Sequence, residues 1–250
     1  MGIVLITGGS RGLGKNMAQH LAQKGHDVII TYHSKKDEAE KVVAEIAAAG
    51  RKGAALQLDV SDSKSFAGFA AAVAKTLKDT FGRKDFDALV NNAGTGIHAG
   101  FMETTEEQFD QMVNIHFKST FFLSQKLLPL IKDGGKILNV SSGLARFSMP
   151  GYAAYGSMKG GIETLTRYMA KELGPRKISV NVLAPGAIET DFGGGAVRDN
   201  KAVNDMIASS TALGRVGLPD DIGALVSALL SDDCRWVNGQ RIEAAGGIFL

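Results

Sequence analysis

The sequence predicts an α/β fold: one doubly wound, parallel, seven-stranded sheet with helices on both faces. Three observations carry this reading. Seven short apolar runs alternate with longer segments of helical period over nearly the whole chain. The runs are continuously apolar rather than alternating, as strands covered on both faces require. The first run also leads straight into a glycine-rich turn and then a helix pattern.

In chain order, strands are expected at residues 3–6, 28–31, 54–58, 88–90, 136–140, 178–183 and 241–243. The helix after the glycine turn reaches Lys24, and the next spans 37–49, with alanines and acid/base pairs, closed by Gly50. Thr104 and Glu107 have capping-box spacing, so a long helix is expected from 104 to about 131. A further helix opens around Tyr155. The stretch 187–215, with Gly193, Gly194 and Gly195 inside it, reads as irregular; a loop this long in a compact domain is a candidate lid. No repeat or linker interrupts the pattern, so residues 1–250 are expected to form a single domain.

Composition excludes several classes of function. With 44% apolar and 22% charged residues the chain is ordinary for a globular protein, and a net charge of +2 supplies no basic stripe for nucleic acid. Cys234 is the only cysteine, so no intrachain disulfide can form. The histidines at 20, 26, 33, 98 and 116 have no metal-ligand spacing, and no metal is expected. No apolar run approaches the ~18 residues that span a membrane. The N-terminus enters a strand at once, without a basic region or cleavage site, so a cytoplasmic location is expected.

In a doubly wound sheet, ligands bind beyond the carboxyl ends of the strands, where strand order reverses. The residues there are distinctive. Thr7-Gly8-Gly9-Ser10-Arg11-Gly12-Leu13-Gly14 follows the first strand. Its glycines permit a tight turn and close backbone approach, and the following helix N-terminus offers unpaired N–H groups to a pyrophosphate. That points to a dinucleotide. Asn91-Asn92-Ala93-Gly94 follows the fourth strand, Ser142 the fifth, and Pro185-Gly186 the sixth, while Tyr155 and Lys159 lie four apart on one helical face.

This ordered set, covering essentially the whole chain, resembles the short-chain dehydrogenase/reductase family, whose turn likewise spaces its glycines as G-x-x-x-G-x-G. The resemblance implies a Rossmann-type fold and a nicotinamide dinucleotide. Gly8, Ser10, Gly12, Leu13 and Gly14 would meet the pyrophosphate, with Arg11, His33 and Ser34 at the ribose 2′ position. Asp59 and Val60 would meet the adenine, although Asp59 reads equally well as a turn cap before Ser61. Asn91, Ala93 and Gly94 would line the adenosine side. Pro185, Gly186, Ile188 and Thr190 would border the nicotinamide, together with Tyr155 and Lys159. An acid closing the second strand would favour NAD(H) and repel the 2′-phosphate of NADP(H). Here Tyr32 stands where NAD-using relatives carry aspartate, and Arg11 faces no acid visible in the sequence. NADP(H) is therefore expected over NAD(H).

The family's catalytic positions fall on Asn114, Ser142, Tyr155 and Lys159. A carbonyl and an alcohol interconvert by hydride transfer only if the oxygen gains or loses a proton. Tyr155 would supply it, Lys159 would stabilise the phenolate, and Ser142 would hold the substrate oxygen. Ser141 is chemically equal to Ser142; the thirteen-residue spacing to Tyr155 selects Ser142. Asn114 would hold a water linking the lysine to solvent. His98 and His116 are expected near the cleft in plain polar roles.

The chain looks most like 3-oxoacyl-carrier-protein reductases and related carbonyl reductases, which leaves an acyl thioester and a free small ketone both open as substrates. Arg176 matches one carrier-docking arginine, while the other falls on Asp133. Phe147, Met149, Tyr152, Phe192 and Met206, with His98 and Phe101, are candidate pocket residues. The family's threonine and aspartate near the C-terminus are replaced by Asn238 and Ala245. A homotetramer is expected, with a dimer as alternative. Two other readings are a nucleotide-binding regulator without turnover, which typically loses the tyrosine or lysine, and an epimerase, which needs more chain after Leu183.

Overall fold

A computed structural model describes residues 2–250. Seven parallel strands, β1 (Ile3–Ile6), β2 (Asp27–Tyr32), β3 (Gly53–Gln57), β4 (Phe86–Asn91), β5 (Ile131–Val140), β6 (Ser179–Pro185) and β7 (Arg241–Ala244), form one sheet in the order β3-β2-β1-β4-β5-β6-β7. The chain leaves β1 in one direction as far as β3 and returns to the other side of β1 with β4. The strand order therefore reverses at the β1/β4 boundary.

The helices are α1 (Gly12–Gln23), α2 (Lys36–Ala48), α3 (Phe66–Thr76), α4 (Glu106–Met112), α5 (Ser119–Leu127), α6 (Ala153–Glu172), α7 (Ala196–Asp199), α8 (Lys201–Ser209) and α9 (Pro219–Leu229). Strand pleating sends Val4 and Ile6 of β1 to one face and Ile3 and Leu5 to the other. On the first face they meet Met17, Ala18 and Leu21 of α1, Val42 and Ile46 of α2, and Ile222 and Val226 of α9. On the second they meet Phe66, Phe69 and Val73 of α3 and Leu123 and Leu127 of α5. Both faces are covered by apolar side chains, which explains the continuous apolar runs.

The structure corrects three sequence expectations. The helix cap is Thr105, not Thr104: Thr105 Oγ1 accepts from Gln108 N–H (3.3 Å), and Gln108 Oε1 accepts from Thr105 N–H (3.1 Å). Thr104 instead donates its hydroxyl to Gly100 O (2.9 Å), closing the preceding turn. The helix also ends early. A wider π-type turn at Val113–Lys118 joins α4 to α5, which stops at Leu127, and Ile131 already belongs to β5. Pro129, with no N–H to donate, marks the break. Finally, the stretch 187–215 is not irregular throughout, since it holds α7 and α8. Asn200 caps α8 by accepting from Ala202 and Val203 N–H (3.0 and 3.2 Å). Among the described residues no helix is long and apolar enough to cross a membrane.

Candidate active site

The glycine turn sits at the strand-order reversal. The first α1 hydrogen bond runs from Lys15 N–H to Arg11 O (3.2 Å), and no side chain caps the helix. The Gly12, Leu13 and Gly14 amides are thus left without helical partners, and with Ser10 they form the donor set an anionic phosphate needs. Gly14 admits no side chain, because a Cβ there would collide with Gly8 O. Gly8 donates to Thr31 Oγ1 (3.0 Å), locking the turn to β2.

Two residues the sequence reading left without a role brace this turn. Thr7 Oγ1 accepts from the Asn92 and Ala93 amides (3.0 and 2.9 Å), and Asn92 Nδ2 donates to Thr7 O and Gly8 O (2.9 and 3.2 Å). The turns after β1 and β4 are therefore one hydrogen-bonded unit. The Asn91 side chain, expected to line the adenosine side, turns into the protein and donates to Ser124 Oγ (2.9 Å) and Asn139 Oδ1 (2.8 Å). Asn139 continues to Thr166 Oγ1 (2.9 Å), so a polar chain joins β4, β5 and α6 inside the core. Only the backbone of Asn91 is left for a ligand.

Asp59 fulfils its turn reading. It accepts from Ser61 N–H and Oγ–H (2.8 and 2.7 Å), and the Ser61 hydroxyl foremost holds its carboxyl below the usual range. His33 stands 3.6 Å from its other oxygen, with Ser34 and Lys35 exposed alongside and Val60 half-buried toward the core. Arg11 does meet an acid, contrary to expectation, pairing with Asp191 (2.7 Å). That partner lies far along the chain, where sequence spacing gives no hint of it.

On α6 the buried residues Tyr155, Lys159, Ile162 and Thr166 follow the helical repeat, so Tyr155 and Lys159 share the inward face. Lys159 Nζ donates to Val140 O (2.8 Å) and lies 5.5 Å from the Tyr155 ring centre. Burial alone pushes the Lys159 ammonium down to about 7. Burial likewise pushes the Tyr155 phenol up to about 12, opposed by the nearby Ser142 hydroxyl. Ser142 opens the turn after β5, and its Oγ accepts from Leu144 N–H (3.2 Å). Ser141 is drawn elsewhere, to Glu163 Oε1 (2.8 Å) and Lys159 O (3.2 Å), which separates the two serines as the spacing did. Asn114 is half-buried in the wide turn between α4 and α5, and its side chain makes no hydrogen bond among the described residues.

His116, read from sequence as merely polar, packs edge-on against Tyr155, with ring centres 5.2 Å apart. Its Nε2 meets Thr95 O at 2.7 Å, so that nitrogen carries the proton. Burial first, then the nearby Lys159 charge, lowers its pKa to about 3, and the ring stays neutral.

After β6, Gly186 N–H donates to Ala244 O (3.0 Å). Gly217 N–H donates to Ala187 O and Glu189 N–H to Gly217 O (both 2.9 Å), which turns the N–H and C=O of Ile188 to the opposite side. Thr190 is buried beside Gly12. A cavity of about 270 Å³ opens between Gly12, Lys15, Asn16, Thr190, Asp191 and Arg198. Phe192 then leans over the site, its ring 5.8 Å from that of Tyr155. His98 and Tyr152 pack edge to face (5.1 Å), whereas Phe101 and Met206 are exposed and do not join them. Arg176 is fully engaged, by Asp133 (2.7 Å), Leu128 O (2.9 Å) and Ile131 O (2.5 Å).

A family model described as enoyl-(acyl carrier protein) reductase matches residues 8–248. A tetrahydroxynaphthalene reductase from Pestalotiopsis fici is 36% identical over 98% of this chain and 90% of its own length. Among solved structures, the promiscuous reductase LugOII, which catalyses keto-reduction at C1 during lugdunomycin biosynthesis, superposes with a TM-score of 0.93. It is 36% identical and covers 99% of this chain and 98% of its own. The angucycline C-6 ketoreductase LanV, solved with bound NADP, also gives 0.93, at 34% identity over 99% of this chain and 95% of its own. The chain belongs to the short-chain dehydrogenase/reductase family.

Proposed function

We propose that this protein is an NADP(H)-dependent ketoreductase that converts a free, small aromatic or polycyclic ketone to a secondary alcohol, reversibly. The observation that carries the reading is the buried Tyr155–Lys159 pair beside Ser142, at the carboxyl ends of β4, β5 and β6. The bound cofactor supplies the hydride. Ser142 Oγ holds the carbonyl oxygen, and Tyr155 gives that oxygen its proton. With its pKa raised by burial, Tyr155 stays a donor throughout the neutral range. Lys159 places a cation close enough to ease the developing phenolate. Asn114, on the turn that packs against α6, would hold the water that returns protons to Lys159.

The α1 amides with Ser10 would hold the pyrophosphate, Arg11 the 2′-phosphate, and the Ile188 backbone and Thr190 the nicotinamide end, bordered by Pro185 and Gly186. NADP(H) is favoured over NAD(H) because Tyr32 and Ser34 offer hydroxyls, Lys35 a cation, and none of residues 32–35 a carboxylate. The LanV complex supports the same choice. The stretch 187–215 would act as a lid, since Phe192 reaches Tyr155. Two observations favour a free ketone over a carrier-bound thioester. Arg176 is paired with Asp133, whose opposite charge weakens its pull on an acidic carrier protein. Two of the relatives named above are also described as a tetrahydroxynaphthalene reductase and an angucycline C-6 ketoreductase, neither of them by a carrier-bound substrate.

The test is NADPH and NADH oxidation with 2-tetralone and with an acetoacetyl thioester. Faster turnover of NADPH with 2-tetralone is expected. Preference for the thioester would place the enzyme with the fatty-acid reductases. Tight NADPH binding with no turnover of either would favour a regulator.

A further inference from the structure

The last residues, 245–250, lie across two parts of the site at once. On one side they pair with the end of the proposed lid: Leu213 N–H donates to Gly246 O (3.0 Å), Ala212 N–H to Gly247 O (3.2 Å) and Phe249 N–H to Ser210 O (3.0 Å). On the other they grip the turn that carries Ser142. Arg146, four residues after Ser142, donates to Ile248 O (2.8 Å) and Phe249 O (3.3 Å). The Phe249 ring packs on Phe147 (4.9 Å). Phe249 is held at φ 51, a left-handed conformation that a non-glycine residue keeps only when its surroundings fix it.

Ile248 is buried in a third, small core with Ile207 of α8 and Val216, against which Phe147 of the serine turn and Ala245 also pack. Lid, serine turn and tail therefore share one core, separate from the two that cover the sheet.

A polar chain completes the connection. Arg146 binds Glu243 with two nitrogens (2.9 and 2.8 Å), and Glu243 accepts from Arg241 Nη1 (2.5 Å). Arg241 Nε donates to Glu163 (2.7 Å), and Glu163 accepts from Ser141, the neighbour of Ser142. The tail is thus tied to both flanks of Ser142. Ala245 sits at the root of the strap, where the family's aspartate is replaced.

We propose that residues 245–250 form a strap that sets the position of Ser142 and couples it to the lid, with Arg146 and Phe249 as positioning residues. Its kinetic part rests on the ketoreductase reading above. A serine turn freed by about 1 Å costs roughly 10- to 100-fold in rate without touching the cofactor site.

Hydrogen–deuterium exchange of the full chain tests the coupling, using Arg146→Met, Arg146→Lys and Phe249→Ala. Both Arg146→Met and Phe249→Ala are expected to speed exchange in 143–149 and in 210–213 together, while β1 and β4 stay protected. Arg146→Lys, which keeps the charge toward Glu243, recovers part of the protection. With 2-tetralone, kcat/KM is expected to fall roughly 10- to 100-fold, with the Kd for NADPH within about twofold of the parent. Faster exchange at 143–149 with 210–213 unchanged overturns the proposal. So does a loss of NADPH affinity that matches the loss of kcat/KM. The exchange result decides the strap by itself. Ser142→Ala, measured alongside, decides the reading on which its kinetic part depends.

Discussion

Tyr155 and Lys159 were readable from sequence because four-residue spacing on a helix places two side chains on one face. Their protonation was not, since it depends on burial. In the reducing direction Tyr155 must start protonated, and its raised pKa keeps it so until strongly alkaline pH. Alcohol oxidation needs the phenolate, so its rate should climb with pH, up to about tenfold per unit. Ser142 lowers the Tyr155 pKa, so Ser142→Ala should move that rise to higher pH as well as slow turnover; an unchanged profile would remove Ser142 from contact with Tyr155. His116 gives a second pH signature. Its pKa is about 3 when folded against 6.5 unperturbed, so between those values the unfolded chain binds the extra proton. Stability therefore rises with pH across that window, by up to about 1.4 kcal/mol per unit from this group. His116→Gln should flatten the slope in acid-unfolding curves by that share. The Arg11–Asp191 pair was hidden because its partners are distant in sequence. Asp191→Asn should free Arg11 and tighten NADPH by a few-fold at most, since exposed pairs are worth about 1 kcal/mol or less. Arg11→Ala should weaken NADPH more than NADH.

Each of the seven strands falls where expected, with the ends moving by a few residues; burial on both faces writes the signal for the central strands, whereas β7, with Arg241 and Glu243, is only half-buried. Element ends shift where local rules compete. Thr104 with Glu107 and Thr105 with Gln108 both have capping-box spacing, and only the turn at Gly100 decides between them. Thr105→Ala should cost about 1 kcal/mol in denaturant unfolding as the lost cap of α4; no change would return the cap to Thr104. The helices inside 187–215 were hidden by the glycines before them, although the Asn200 cap and the Val203/Ile207 spacing were present to be read. The Asn91–Asn139–Thr166 chain was also invisible, because which asparagine turns inward depends on strand pairing. Asn139→Ala should leave Asn91 and Thr166 short of a partner and cost about 1–3 kcal/mol.

At the scale of the whole molecule, a doubly wound sheet gathers residues from distant parts of the chain at one edge. Ser142, Tyr155, Ile188 and the glycine turn each end a strand or begin a helix, so topology alone brings them together. Exposed Phe109, Phe121 and Phe122 on α4 and α5, with Tyr168 on α6, offer an apolar surface for the homotetramer, or the alternative dimer, expected from sequence. Light scattering should return four times the chain mass; the mass of one chain would overturn that. The claim on which most else depends is that Tyr155 gives the proton. Its most direct test is NADPH oxidation with 2-tetralone by the parent protein and by Tyr155→Phe, with NADPH affinity measured for both. Tyr155→Phe is expected to lose at least about 100-fold in turnover, the scale of a general-acid contribution, at unchanged affinity. Comparable rates in the two proteins would contradict it.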